Sequence, residues 1–187
     1  MKRAVVLASL LLILIFSLPA HSAEKADVVM LDTQMVGSTQ LWINGIALRE
    51  KFVFDVYVAA LYLEEKSSDA DAILAKDAPR MMVMHFLRSI GANKINSAWY
   101  EGLTNNVSHV TQELSGKFDR LSGMMDDVEE GQTMSFTYDP ASGTEINVNG
   151  TVKGTIPGKD FADAILATWI GPRPGPGKKF KTDLLGQ

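Results

Sequence analysis

The sequence predicts a single α+β domain organised around antiparallel strands. Two strand-like runs, Gln40 to Arg49 and Phe52 to Glu64, are separated only by Glu50 and Lys51, which leaves room for a hairpin and nothing longer. Asn149-Gly150, set between two further strand-like runs, supplies the turn chemistry of a second hairpin. Between the two lies a long stretch with apolar residues at three-and-four spacing, the pattern of an amphipathic helix.

The chain opens with Lys2 and Arg3, followed by an apolar run from Ala4 to Leu18 interrupted only by Ser9 and Ser17. Pro19 breaks the run, and Ala20-His21-Ser22 offers the small-x-small pattern that a signal peptidase cuts. The run is shorter than the ~20 apolar residues that span a bilayer. Residues 1–22 are therefore expected to be a signal peptide cleaved after Ser22 or Ala23, leaving one domain over residues 23–187. The expected location is periplasmic or secreted, with no integral membrane segment after cleavage.

Glu24 to Asp27 is expected to be a loose, charged start to the domain. After the first hairpin, Ser67-Ser68-Asp69 offers cap chemistry for a short helix through Ala75. Arg80 to Arg88 is apolar on both alternating faces, as a central strand covered on both sides would be. A long helix is expected from about Asn93 to Glu113, with Ile95, Ala98, Trp99, Gly102, Leu103, Asn106 and Val110 on one face. Phe118, Leu121 and Met124-Met125 suggest a further helix that stops before Gly131. Strands follow at Thr133 to Tyr138, Thr144 to Val148 and Thr151 to Thr155. A last helix runs from Asp160 to Ile170, and Gly171 to Gly177 is too rich in proline and glycine to be helical. The basic stretch Lys178 to Lys181 is expected to be a solvated tail.

Composition closes off several functions. The chain has 18 basic and 22 acidic residues, and loss of Lys2 and Arg3 leaves a net charge of about −6. An acidic domain is expected to have no long-range attraction for nucleic acid or anionic lipid. With no cysteine, neither a disulfide nor the usual Cys/His zinc site can form. The chain holds no GxSxG elbow, phosphate-binding glycine loop or HExxH pair. Met81, Met82, Met84 and His85 invite a copper reading, but on a strand Met82 and Met84 face away from Met81 and His85. They read better as adaptable lining, and no metal or cofactor is implied.

Three polar residues sit where the pattern expects apolar ones. Arg49 ends the first strand on the face of Gly45 and Ala47, small residues that leave space beside a guanidinium. Tyr57 shares its face with Val53, Ala59 and Leu61, and Asn106 interrupts the stripe of the long helix. The plain alternatives are surface pairing of Arg49 with Glu50 or Asp55, a core role for Tyr57 and a local cap for Asn106.

Asn44-Gly45-Ile46-Ala47-Leu48-Arg49 with Val56-Tyr57-Val58-Ala59-Ala60-Leu61-Tyr62-Leu63 resembles the first hairpin of the chalcone isomerase fold, closest to its bacterial chalcone isomerase-like branch. Trp99-Tyr100-Glu101-Gly102 with Asn106 resembles its long helix, and Gly154-Thr155-Ile156-Pro157-Gly158-Lys159-Asp160-Phe161 through Trp169-Ile170-Gly171 its final hairpin and helix. The resemblance implies an antiparallel sheet with helices packed on one side, an open-faced sandwich with an apolar cleft between the layers. It also implies a site. Arg49 and Asn106 match the arginine and asparagine of the plant enzymes. Trp99 stands in place of their tyrosine, Tyr57 of their threonine, and Ala162 of their serine or threonine. An indole and a methyl group cannot replace catalytic hydroxyls. The fatty-acid-binding proteins of the same superfamily hold a carboxylate with an arginine and a tyrosine, which Arg49 and Tyr57 resemble. The resemblance thus implies a non-catalytic binder of a fatty acid or similar amphipathic anion, with Arg49, Tyr57, Trp99 and Asn106 as candidate ligand-binding residues. The alternatives are an isomerase acting as an intramolecular lyase through Arg49 and Asn106, and an interaction protein with a filled cleft. Oligomeric state is left open.

Overall fold

Short-range turn chemistry builds most of this molecule, because each strand of the main sheet pairs with its neighbour in sequence. The structure is a computed structural model and describes residues 22–187; apart from Ser22, the expected signal peptide lies outside the described residues. Strands β1 (Ser22–Lys25) and β2 (Val28–Leu31) form a separate two-stranded ribbon. Seven strands then form one antiparallel sheet in chain order: β3 (Thr33–Val36), β4 (Thr39–Lys51), β5 (Phe54–Leu63), β6 (Arg80–Phe86), β7 (Thr133–Asp139), β8 (Gly143–Val148) and β9 (Thr151–Ile156). Helix α1 (Ala70–Ala75) lies between β5 and β6. Helices α2 (Ala92–Asn106) and α3 (Gln112–Ser122) lie between β6 and β7, and α4 (Lys159–Ile170) and α5 (Lys178–Leu184) follow β9.

The expected antiparallel sheet with helices on one side is what forms. Ala59, Leu61, Met82, Met84 and Phe136 point from the strands into a core shared with Trp99, Phe118, Phe161 and Trp169 of the helices. Val58, Ala60 and Tyr62, one residue out of phase, point to the other face and pack beneath Val28 and Met30 of the ribbon. Asp69 caps α1 by accepting bonds from the Asp71 and Ala72 amides at 2.9 and 3.0 Å. Asn149 and Gly150 join β8 to β9 with both φ angles positive, +49° and +77°, as a two-residue hairpin of this twist requires.

Six expectations need correction. The first hairpin turns at Phe52-Val53 rather than at Glu50-Lys51, because β4 continues to Lys51, which lies opposite Phe54. Glu24 and Lys25 belong to β1 rather than to a loose terminus; Lys25 is tied by an ion pair to Asp183 at 2.6 Å. The long helix stops at Asn106, whose side chain turns back to bond the Gly102 carbonyl, and Thr111 caps a separate α3 through the Leu114 amide. That second helix ends at Gly123, so Met124 and Met125 lie beyond it. Strand β6 is central but only one of its faces is fully buried; Met81, Val83 and His85 are half-buried because the ribbon covers only part of the far face. The Lys178 to Lys181 tail is the first turn of α5, which buries Phe180 and Leu184 against the sheet. Its apolar pair at four-residue spacing outweighs the three lysines around it.

Candidate functional site

Arg49 and Tyr57 are cross-strand partners: the β4–β5 register sets them directly opposite, on the sheet face that looks toward the helices. The next step of the ladder slips, with Glu50 opposite Asp55, so Val56 is a bulge residue beside the pair. A bulge bends its strand and re-aims the neighbouring side chains. On the adjoining strand, Phe86 lies opposite Tyr57 and Met84 opposite Ala59, which continues the same apolar wall.

This wall and the helices enclose a cleft of about 660 Å³. Its sheet side is Arg49, Val56, Tyr57, Met84 and Phe86. Its helix side is Ile95, Ala98 and Trp99 of α2 with Thr168 and Trp169 of α4, and Gly175 and Pro176 close one end. Phe52 and Phe54 stand at the hairpin end. The charged lining is Arg49, Lys51, Arg88 and Lys94 against Glu101 alone. Among the described residues none of these four cations has a carboxylate within ion-pair distance, and Arg49 pairs with neither Glu50 nor Asp55. An acidic protein thus lines one concavity with unpaired positive charge.

Arg49 is held rather than free. One guanidinium nitrogen donates to the Pro176 carbonyl at 2.7 Å, which leaves its other N–H groups for a ligand. Tyr57 is packed edge-on between Phe86 and Phe180, with ring centroids 5.9 and 5.7 Å away. Its hydroxyl oxygen accepts the Trp169 indole N–H at 3.2 Å, so its own O–H remains a donor. Burial pushes the phenol up to about 12, against the smaller opposing pulls of the Trp169 bond and the Arg49 charge. At neutral pH Tyr57 is a neutral donor and not a base.

The structure brings three of the four candidate residues together. Trp99 lines the cleft and is buried, edge-on to Phe136 and Trp169. Its indole N–H has no oxygen or nitrogen acceptor among the described residues. Asn106 is elsewhere. Its amide donates to the Gly102 and Arg173 carbonyls at 2.9 and 3.0 Å and accepts the Arg173 N–H at 2.8 Å, so it fastens the segment 171–177 instead of facing the cleft. The space expected beside Arg49 at Gly45 is also taken. A Cβ on Gly45 would come within 2.3 Å of the Asp183 carbonyl oxygen, because the end of α5 lies directly on β4 there. Asn44, next to it, donates to the Leu184 and Ser67 carbonyls and accepts the Ser67 amide. Ala162, on α4 itself, is buried and forms no part of the cleft.

Sequence reasoning missed Pro176, Phe180, Lys51, Arg88 and Lys94. Only Phe180 carried a signal, its four-residue spacing to Leu184. The carbonyl of Pro176 and the convergence of three distant cations are products of tertiary structure. Met82 and Met84 point into the helix-side core while Met81 packs on the opposite face.

An antiparallel sheet with helices on one face and a cationic, mostly apolar cleft between the layers defines a class of open-faced α+β sandwiches. Within that class, the model of the family described as chalcone isomerase-like matches residues 22–186, and the chain belongs to this family. Among solved structures it is similar to a fatty-acid binding protein of Arabidopsis thaliana, with a TM-score of 0.68 and 14% identity, covering 88% of this chain and 96% of that one. At that identity the likeness is one of fold. No curated protein matches the sequence.

Proposed function

We propose that the protein binds a fatty acid or a similar amphipathic anion without transforming it. The observation that carries this reading is the Arg49–Tyr57 pair at the wall of an apolar cleft whose charged lining is almost wholly cationic. A carboxylate there would take two parallel N–H bonds from the guanidinium and a third from the phenol. An acyl chain would lie along Met84, Phe86, Ile95 and Trp99. The cleft volume falls within the range of about 300–1,000 Å³ common to small-molecule sites. The fold shared with a plant fatty-acid binding protein supports the same reading.

A catalytic reading has less to work with. Asn106 is engaged by the chain itself, Ala162 is buried elsewhere, and Tyr57 stays protonated at neutral pH. Of Arg49 and Asn106, the two residues that the isomerase reading assigns to chemistry, Arg49 alone lines the cleft. Export is part of the proposal: the family match begins at Ser22, where the apolar leader ends.

Native mass spectrometry of protein purified from the periplasm tests these points together. The polypeptide should begin at Ala23 or Glu24 and carry a bound acid. Arg49→Ala should weaken binding by about 2–3 kcal/mol, roughly a hundredfold. Full occupancy in that variant would remove Arg49 from the site. Chalcone cyclisation well above the spontaneous rate, and lost in Arg49→Ala, would replace the binding reading with the isomerase one.

A further inference from the structure

The β4–β5 hairpin ends in an apolar tip that the fold leaves uncovered. Phe52, Val53 and Phe54 are 90%, 87% and 52% exposed. Three consecutive large apolar side chains at a protruding turn are costly to keep in water, and exposed patches of this kind mark contact surfaces. The backbone makes the choice more pointed. Phe52 has φ of +58°, a left-handed conformation that disfavours side chains other than glycine, asparagine and aspartate. The β8–β9 hairpin meets a similar demand with Asn149-Gly150, the residues that turn chemistry prefers. At the β4–β5 tip an aromatic ring occupies the strained position instead.

We propose that this tip docks on a phospholipid bilayer, with the cleft mouth facing the lipid. Two observations select a bilayer over a protein groove. The tip is continuous with the cleft, since Phe52 and Phe54 also line it. Cations surround it: the Arg88 guanidinium lies 4.4 Å over the Phe54 ring, and Lys51 and Lys94 flank the same opening. Long basic side chains beside inserted aromatics reach lipid phosphates while their stems stay in the apolar layer. The acids nearby are Glu50 and Asp55, opposite each other at the base of the tip, Glu101 on the helix wall, Glu129, which accepts the Ser89 hydroxyl at 2.6 Å, and Asp127, which accepts the Ala92 amide at the start of α2. They temper the attraction to anionic lipid, so apolar insertion supplies most of the binding and the cations orient the mouth. The inference rests on the fatty-acid reading for its purpose, because such a ligand is held in membranes and would enter the cleft at this end.

Val53 allows a clean test, since it is exposed and forms no part of the cleft lining. The protein without its leader is sedimented with phosphatidylcholine vesicles, with and without phosphatidylglycerol. A soluble fluorescent fatty acid is titrated in parallel without vesicles. The protein should sediment with both vesicle types, more with the anionic one. Val53→Asp should lower the partition coefficient by about tenfold or more while leaving fatty-acid binding in solution unchanged. Protein that stays in the supernatant with both vesicle types, or equal sedimentation of Val53→Asp, overturns the proposal. So does a dimer that Val53→Asp dissociates without any vesicle binding, since the tip would then serve a second copy. Val53-dependent sedimentation without fatty-acid binding would support docking and refute the carrier reading alone.

Discussion

In the proposed site, Arg49 and Tyr57 would divide the work of holding an anion by charge. The guanidinium supplies the positive charge, and the phenol stays neutral because burial raises its ionisation to about 12. A neutral O–H adds a hydrogen bond without a competing negative charge. Tyr57→Phe should therefore weaken a fatty acid by about 1–1.5 kcal/mol, roughly five- to tenfold, and far less than Arg49→Ala. The same substitution exposes the titration. A folded-state pKa above the unfolded value near 10 means that the native state favours the protonated phenol. That stabilisation is complete below pH 10 and is lost as pH rises through about 12. Subtracting the alkaline ultraviolet titration of Tyr57→Phe from that of the parent should give a phenolate signal centred near 12; a midpoint near 10 would contradict the buried environment. Arg49 and Tyr57 were legible one by one, as polar residues in apolar strands, but not as partners: a turn at Glu50-Lys51 would set Arg49 opposite Phe52, whereas the turn at Phe52-Val53 and the bulge at Val56 set it opposite Tyr57. Asn106 was not legible in the same way. A polar residue in an apolar helical stripe looks identical whether it faces a ligand or a backbone segment 67 residues away.

The elements that complete the cleft are those the sequence hid best. The segment 171–177 has no periodicity to read, yet its Pro176 carbonyl holds Arg49, and Asn106 holds the segment by both polar atoms of its amide. Helix α5 presented three lysines in a row of four, which masked an apolar pair of Phe180 and Leu184. Strands β4 to β9 and α4 were legible because alternation and turn residues agree along them, whereas β1, β2 and β3 were not read as strands; α5 and the 171–177 segment depend on where β4 and α2 lie. Under the proposed function Asn106 is consequently a positioning residue, acting on the ligand through Pro176 and Arg49. Asn106→Ala should raise the fatty-acid dissociation constant about three- to tenfold, the equivalent of one or two lost hydrogen bonds. In Arg49→Ala background the same change should have almost no effect on binding, because the side chain it positions is gone. Equal effects in both backgrounds, measured by calorimetry, would show that Asn106 acts independently of Arg49, and no effect in either would leave it a role in stability alone.

Across the whole molecule, charge is distributed against its average. The domain is acidic overall, but Arg49, Lys51, Arg88 and Lys94 converge on one opening, and Glu101 alone opposes them in its lining. Fields from clefts of this kind reach beyond contact distance and concentrate a ligand of opposite sign. Long-range and contact terms respond differently to salt. Exposed charges are screened over a length that falls from about 10 Å at 0.1 M to about 3 Å at 1 M, while a hydrogen-bonded pair in a half-buried site is screened much less. Palmitate should bind more tightly than hexadecanol, the same chain without a charge, and raising salt should reduce that preference without abolishing it. The part that survives at high salt belongs to Arg49 and Tyr57 in contact with the carboxylate, and the part that disappears belongs to Lys51, Arg88 and Lys94. Arg49→Ala should accordingly remove most of the residual preference while leaving much of the salt-dependent part in place. Joint replacement of Lys51 and Lys94 by glutamine should do the reverse. Equal affinity for acid and alcohol at low salt, measured with the unaltered protein, would mean that the cationic lining does not select an anion.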